Sequence, residues 1–379
     1  MNLIGLVQAL LININYLAGL EDPQYKVTPV GFLRMLLENP VTAKISNAKQ
    51  IQNGLERTLK VRYMQRGLES DVTDKDDCDT PIGATWKETE IGRPLFNKIG
   101  IFISDEEMRK WQEEANKTLA AGTPSEPMMV GLYEVMIVKL NGLIQKINSN
   151  LLSAQSTKWG VNAASGSAVA RAINFSNTID MEDGIIKLIT DVQLNEIAGE
   201  PVVVGNGIIN AWQIAQSKKA GTDAQGFSST SIRYYDDINS VSKWGANHFG
   251  VFAPGLTGFV DFNKNVGAYA GVKGGSIFFT IPVPVVLANG TLSSLVFDAQ
   301  LKYEDCPIYD EAGDKIADRG WKLILSKSYG LFNAPNDMFA AGDRLAGYNG
   351  ALHYVAGAAS KTVTVAPEST AIFKTKEQA

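Results

Sequence analysis

The residues from Glu126 to about Ser153 constrain the fold more than any other part of the chain. Apolar side chains recur there at the three- and four-residue spacing of one helix face. They are Met129, Leu132, Tyr133, Met136, Leu140, Leu143, Ile144, Ile147 and Leu151. The pattern predicts a helix about 42 Å long with Ser125 as its N-cap. Polar residues such as Glu134 and Lys139 on the other face indicate a surface-backed helix rather than a membrane span.

Two alternating runs near the C-terminus predict a sheet of comparable length. In "LVFDAQLKYE" every second residue is directed to one face, and the set is Leu295, Phe297, Ala299, Leu301 and Tyr303. "WKLILSKSY", Trp321 to Tyr329, repeats the alternation. This pattern is typical of antiparallel strands with one buried face, and ten residues span about 34 Å. We therefore expect the long helix and the long sheet to pack side by side in an α+β fold.

A charged hairpin is predicted before the long helix. Leu59, Val61 and Tyr63 alternate with a second set that faces the other way, namely Lys60, Arg62, Met64 and Arg66. A polar, acid-rich run, Glu69–Pro81, separates this strand from a second extended stretch, Ala84–Arg93. An isolated two-stranded ribbon is marginal in water, so we expect this one to lie on another surface.

The acidic run is a poor calcium loop. It contains Asp74, Asp76, Asp77 and Asp79. An EF-hand needs glycine at its sixth position, which is Asp79 when the loop starts at Asp74, and glutamate at its twelfth. A solvated hairpin tip is the favoured interpretation, and no metal is expected.

Shorter elements surround these features. Ser104 caps a predicted short helix that begins with acidic residues, and a second helix is predicted over Ile179–Ala198 with Gly199 as its C-terminal stop. The glycine-rich region Ser229–Gly290 is predicted to be β-rich. Pro282 and Pro284 within it favour an edge or bulged strand, because proline cannot donate to a ladder.

The stretch "GEPVVVGNGIINAWQIAQ" resembles a nucleotide site. A dinucleotide fingerprint needs a third glycine, but Asn210 stands in that position after Gly205 and Gly207, and no acidic partner follows at the end of a second strand. We therefore favour a strand-to-helix corner in which a glycine supplies positive φ, followed by a helix over Ile208–Ala220. A soluble enzyme with a nucleotide site at Gly205–Gly207 remains an alternative.

Composition argues against several other classes of function. The 379 residues are 45% apolar and 20% charged with a net charge of −5, which indicates a packed core and argues weakly against a dedicated nucleic-acid binder. Cys78 and Cys306 form no metal or disulfide motif, and no motif surrounds either His248 or His353. No catalytic, cofactor-binding or metal-binding residue is therefore assigned.

The N-terminal stretch "MNLIGLVQALLININYLAGL" carries no charge before Glu21. It lacks the basic region and cleavage site of a signal peptide, and its polar residues argue against a membrane span. We expect an apolar arm that is buried on protein, either on this chain or on another subunit. The last 15 or so residues are expected to be frayed.

The order of parts resembles the major capsid proteins of tailed phages, which share the Hong Kong ninety-seven fold. The region "FDAQLKYEDCP…WKLILSKSYGLFNAPNDMF…GYNGALHYVAG" is similar to capsid proteins of Bacteroidetes-infecting phages, and Glu200 to Asn210 is the second anchor. The resemblance implies an α+β fold with an N-terminal arm, an extended β-hairpin loop, a peripheral domain with a spine helix beside a long antiparallel sheet, and an axial α/β domain.

On this resemblance the chain divides into five parts. We expect an N-terminal arm at 1–45, the extended loop and short helix at 46–123, and the peripheral domain at 124–199. The axial domain is expected at 200–290. Residues 291–379 would return to the peripheral sheet, contribute to the axial domain and end in the frayed C-terminus.

The implied function is self-assembly into the icosahedral shell that encloses a phage's double-stranded DNA. The implied partners are copies of the same chain in pentamers and hexamers, portal, scaffolding and decoration proteins, and non-specific contact with packaged DNA, with no membrane. The expected location is the virion, after assembly in the host cytoplasm. The sequence passes from Met1 directly into the arm, so the expectation is a separate scaffolding protein, or none. An encapsulin-like nanocompartment is an alternative.

The hairpin's charges suggest how copies meet. Lys60, Arg62 and Arg66 on one strand and the acidic tip, with Asp74, Asp76, Asp77 and Asp79, are complementary. The hypothesis is that the hairpin lies over an adjacent subunit and that these residues form intersubunit contacts. Each surface ion pair would contribute only about 0–1 kcal/mol, but a closed symmetric assembly repeats it many times.

Overall fold

A computed structural model describes residues 27–65, 86–116, 126–174, 178–197, 199–207, 232–287, 292–309, 312–338 and 346–357. Several sequence predictions fall outside these residues. They concern the apolar arm, Arg66 and the acidic run Glu69–Pro81, the helix over Ile208–Ala220, and the C-terminal tail.

The helices of the described ranges differ greatly in length. They are α1 (Gly31–Glu38), α2 (Ala48–Gln52), α3 (Asp105–Asn116), α4 (Glu126–Gln155), α5 (Thr178–Leu194) and α6 (Ser240–Trp244). The predicted long helix is confirmed as the 30-residue α4. Ser104 caps α3 as predicted, because its Oγ accepts the backbone N–H of Glu107 at 3.1 Å and the Glu107 carboxylate accepts the Ser104 N–H at 3.0 Å.

The strands of the described residues form three sheets. They are β1 (Lys44–Ile45), β2 (Leu59–Met64), β3 (Trp86–Gly92), β4 (Leu95–Ser104), β5 (Arg171–Ile173), β6 (Val202–Gly205), β7 (Arg233–Asp236), β8 (His248–Phe252), β9 (Thr257–Phe262), β10 (Gly271–Lys273), β11 (Ser276–Val286), β12 (Leu292–Tyr309), β13 (Lys315–Asn333) and β14 (Ala351–Ala356). Because the described helices lie beside largely antiparallel sheets, the predicted α+β class is confirmed.

The long sheet is the six-stranded one, in which β10, β11, β12, β13 and β4 follow one another and β9 also pairs with β13. Strand β12 has 18 residues and β13 has 19, so both exceed the predicted runs. Pro282 and Pro284 lie in β11 beyond the three residues that pair with β10. The predicted edge position of these prolines is therefore confirmed.

Helix α4 packs along this sheet, against β4 and β13. The predicted stripe is buried wherever its side chains are described, at Met136, Leu140, Leu143, Ile144, Ile147 and Leu151. It belongs to one apolar cluster with Phe297, Leu301, Leu323 and Leu325 of the sheet. Helix and sheet thus share one elongated core, as their matching lengths predict.

The predicted hairpin is confirmed in its described part, and it rests on its own chain. Strands β2 and β3 pair antiparallel from Leu59↔Gly92 to Met64↔Trp86, and β1 adds a third strand. The Tyr63 ring centroid lies 6.3 Å from that of Phe332 in β13. The apolar face of β2 therefore completes a core beside the end of β13.

The third sheet is mixed and has the order β5-β14-β8-β6-β7, with parallel pairs at β14–β5 and β6–β7. It joins strands from residues 171–173, 202–252 and 351–356, so distant parts of the chain build it together.

The second predicted helix ends earlier than the sequence suggests. Helix α5 ends at Leu194, and Gly199 lies beyond it with φ of +81°. The Asn195 amide donates to the carbonyl of Asp191 at 2.7 Å, and Glu196 takes a left-handed φ of 47°. A side-chain hydrogen bond and a non-glycine left-handed residue thus stop the helix before the glycine.

Candidate assembly surface

The outward face of the β2–β3 hairpin carries the charged residues that the sequence nominates for contact between copies. Lys60 is partly exposed and Arg62 is exposed. Arg66, Asp74, Asp76, Asp77 and Asp79 lie outside the described residues, so the structure does not bring the two predicted sets together.

Acidic residues of the same chain already face both described cations. Lys60 lies opposite Glu90, and its ammonium is 3.1 Å from the Glu56 carboxylate. The hydrogen bond and charge of Glu56 raise the pKa of Lys60, while hydrogen bonds from Asn47 and Lys60 lower the pKa of Glu56. These groups are solvated, so the pair adds little to stability.

Arg62 lies opposite Glu88, and its guanidinium carbon is 4.7 Å from the centroid of the Trp86 ring. Sequence reasoning did not include Glu88, Glu90 or Trp86 in the surface. The signal was present, because "WKETE" alternates and places these three residues on one face of a strand.

The far end of the described hairpin is apolar and exposed. Met64 and Trp86 form its last described pair and are 46% and 43% exposed. A cross-strand pair of large side chains in water is costly unless something covers it. This end of the hairpin is thus suited to contact with another surface.

The Gly205–Gly207 corner is built for backbone geometry. Gly207 has φ of +88°, and its N–H donates to the Tyr234 hydroxyl. A Cβ on Gly207 would lie 2.9 Å from Oδ1 of Asp236, and one on Gly205 would lie 2.8 Å from Cβ of Phe249. An N–H already bonded and a carboxylate beside the turn disfavour a bound phosphate. The predicted positive-φ corner is confirmed at Gly207.

The two histidines contact each other. Nδ1 of His248 is 3.0 Å from Nε2 of His353, whose ring stacks on Trp159 with a centroid distance of 4.3 Å. Burial lowers the pKa of both, and burial together with His248 lowers that of His353 to about 4. Both rings are therefore neutral at pH 7, and no carboxylate of the described chain contributes to either shift.

No group of three or more histidine, cysteine or acidic side chains that could hold a metal occurs within the described ranges. No described helix is long and apolar enough to cross a membrane.

No protein-family model matches the chain, and no curated protein matches it. Solved structures do. The cyanophage A-1(L) capsid is 14% identical over 86% of this chain and 92% of that one, with a TM-score of 0.44. The structure from Mycobacterium phage Adephagia is 11% identical over 89% of this chain and 94% of that one, with a TM-score of 0.43. The capsid structure of Staphylococcus phage Andhra is 8% identical over 89% of this chain and 87% of that one, with a TM-score of 0.38. With TM-scores below 0.5, the functional assignment rests on the chain's own geometry.

Proposed function

We propose that this chain is a structural, non-enzymatic protein that assembles with copies of itself into a closed shell. Within that class we propose the major capsid protein of a tailed phage, with the Hong Kong ninety-seven fold. The observation that carries the proposal is the β2–β3 hairpin, which extends from an elongated helix-on-sheet core and ends in the exposed pair Met64 and Trp86.

The physical reason is that such a hairpin is incomplete in a monomer. Its base is buried on β13, but its outer strand β3 alternates between exposed and half-buried residues along its whole length. A projecting ribbon gains stability when a second surface covers it. In a symmetric shell each copy supplies that surface for another.

The parts of the chain take matching roles. Residues 1–45 are the N-terminal arm, 46–123 the extended loop and short helix, and 124–199 the peripheral domain with α4 as its spine. Residues 200–290 are proposed as the axial domain, to which they give β6, β7 and β8 of the mixed sheet, although their strands β9, β10 and β11 lie in the long sheet. Residues 291–379 supply the return of the long sheet and, through β14, a strand of the mixed sheet.

The proposed partners are copies of this chain in pentamers and hexamers, with portal, scaffolding and decoration proteins. The shell encloses double-stranded DNA through non-specific contacts. The protein is assembled in the host cytoplasm and resides in the virion.

The test is electron microscopy of the purified protein and of particles made in a cell that carries the phage. We expect closed shells of uniform size that contain DNA. Shells filled with a protein cargo would favour an encapsulin-like compartment. A protein that stays monomeric over a wide range of concentration and salt would overturn the proposal.

A further inference from the structure

A cleft on the described surface carries two lysines that pair with no carboxylate of the described residues. It has a volume of about 330 Å³ and lies between the end of α2, at Ile51 and Gln52, and the turn that follows β9. Lys264 lines it from that turn, and Lys273 lines it from the end of β10.

Neutral groups hold both lysines in place. The Lys264 ammonium is 4.5 Å from the centroid of the Phe96 ring, and that of Lys273 donates to the carbonyl of Ala268 at 2.8 Å. The nearby carboxylate of Asp298 is buried, and its two oxygens accept the backbone N–H groups of Lys264 and Asn265, each at 2.8 Å. No ion pair joins either lysine to another residue of the described ranges.

The cleft therefore differs from the outward face of the hairpin. Lys60 is paired with Glu56, and Arg62 lies opposite Glu88, so that face is close to neutral. Lys264 and Lys273 add two positive charges with which no carboxylate of the described residues forms an ion pair. A cleft of this kind suits an acidic peptide.

This chain carries an acidic peptide of its own. The run Glu69–Pro81 contains Asp71, Asp74, Asp76, Asp77 and Asp79 and a single lysine. It lies within the 21 residues that join Met64 of β2 to Trp86 of β3, outside the described residues.

The described strands of the hairpin run away from the cleft of their own chain. Its base, at Leu59, lies against Gly330 of β13, and Tyr63 lies against Phe332. The strand thus runs toward the C-terminal end of β13. Lys264 follows Phe262, which pairs with Ser328 at the opposite end of that contact. The described end of the hairpin, at Met64 and Trp86, is therefore directed away from the cleft of its own chain.

We propose that the acidic segment Glu69–Pro81 of one copy binds in the Lys264–Lys273 cleft of a neighbouring copy. This inference rests on the proposed function. Because segment and cleft are different surfaces, the contact is heterologous, and repeating it around an axis closes rings such as pentamers and hexamers. Because the contact is made by charges at the surface, with Lys264 half-buried and Lys273 exposed, assembly weakens as ionic strength rises.

Charge reversal tests the contact. The double variant Lys264→Glu, Lys273→Glu should remain a folded monomer but lose about tenfold or more in shell yield, since every copy in the shell loses the contact. Reversing the segment with Asp74→Lys, Asp76→Lys and Asp77→Lys should have the same effect. Combining both sets of changes should restore assembly.

Two further variants serve as controls. Lys187→Glu, Lys243→Glu makes the same change in net charge at exposed lysines of α5 and α6, and should assemble normally. Arg62→Glu, Arg66→Glu addresses the rival receptor on the hairpin. If that variant forms no shells while Lys264→Glu, Lys273→Glu forms normal shells, the proposal that the cleft binds the acidic segment is overturned.

A disulfide separates contact between copies from contact within one chain. Asp76→Cys and Lys273→Cys are introduced with Cys78→Ser and Cys306→Ser, and assembled shells are oxidised. A ladder of covalent oligomers on a non-reducing gel is expected. A bridge within single chains, or no bridge in well-formed shells, would overturn the inference. Failure of the wild-type protein to form shells would instead overturn the proposed function.

Discussion

Asp237 joins three separate parts of the chain through its two carboxylate oxygens. Oδ2 accepts the N–H of Phe32 at 2.9 Å and the amide of Asn148 at 2.7 Å, and Oδ1 accepts the N–H of Asn239 at 3.0 Å. The Oδ1 atom of Asn148 in turn accepts the backbone N–H of Leu33 at 2.8 Å. The N-terminus of α1 is thus capped by a residue 205 positions away, in a buried network that ties it to α4.

Gly31→Ala should break this network. Gly31 has φ of +53°, and a Cβ there would lie 2.0 Å from Oδ2 of Asp237. We expect a loss of about 2–4 kcal/mol in the free energy of unfolding, because backbone strain and a displaced buried carboxylate add. Gly54→Ala is the matched control, since φ is +72° and no atom lies within 4 Å of its Cβ. It should cost about 1 kcal/mol. Equal losses in denaturant unfolding would contradict the prediction.

The histidine pair predicts how stability depends on pH. The pKa of His353 falls from 6.5 to about 4 on folding, so the unfolded chain binds the proton first as pH is lowered. The contribution of neutral His353 to the free energy of unfolding is therefore full above pH 6.5 and is lost as the pH falls toward 4. His353→Phe keeps a ring against Trp159 and should remove on the order of 1–2 kcal/mol of this loss, allowing for solvent screening. Identical loss between pH 7 and 4 in wild type and variant would refute it.

At the scale of elements, strand β13 changes its pairing partner from β12 to β9 partway along its length. Strand β12 pairs with β13 as far as Asp298↔Ser326, and β9 takes over from Ser328↔Phe262. Lys327 lies between them with no exposed surface. Its ammonium donates to the carbonyl of Val296 and pairs with Asp261, so it occupies the gap between the two ladders.

Lys327→Met tests this junction. The variant keeps the aliphatic length but removes the donor to the part-buried Val296 carbonyl and the partner of Asp261, so we expect a loss of about 2–3 kcal/mol in unfolding free energy. Lys322→Met in the same strand is the control. Its pairing with Glu304, at 2.9 Å, is partly exposed and should be worth less than about 1 kcal/mol. Similar unfolding midpoints for the two variants would count against the structural role of Lys327.

Regular spacing made the long elements predictable. Met136 to Leu151 and Leu295 to Leu301 follow one helical and one strand period, and both sets are buried as predicted. Lys327 and Asp298 lie in the same alternating strands, but both are buried polar groups, which alternation alone does not predict. Their partners, Asp261 and the turn at Lys264, come from β9 and the residues after it. Periodicity carries no information on such long-range pairs, which depend on where β9 joins β13.

The same limit applied to the candidate surface. The sequence identified Lys60 and Arg62 as cations on the outward face, and their partial and full exposure follows from strand alternation. That Glu88 and Glu90 stand opposite them depends on the register of β2 with β3. The pairing of Lys264 and Lys273 in one cleft requires α2, β10 and the turn after β9 to meet. The spacing of residues along the sequence does not predict that these three elements lie side by side.

At the scale of the whole molecule, the core and the projecting hairpin have separate roles. Val61 and Tyr63 belong to one apolar cluster and Leu59 is also buried, whereas Met64 and Trp86, beyond Tyr63, are exposed. Folding therefore depends on the base of the hairpin, and we expect assembly to depend on what lies beyond Met64 and Trp86.

Replacing residues 65–85 with Asn-Gly separates these two roles. A two-residue turn can close the Met64↔Trp86 pair, so the monomer should keep its secondary structure and unfold within about 1 kcal/mol of wild type. Shells should not form, as judged by sedimentation and electron microscopy. A second variant of wild-type length, with the acidic residues of 69–79 changed to serine, distinguishes reach from charge. If it assembles as well as wild type, length alone accounts for the effect. If it fails like the short variant, the acidic side chains themselves make the contact between copies.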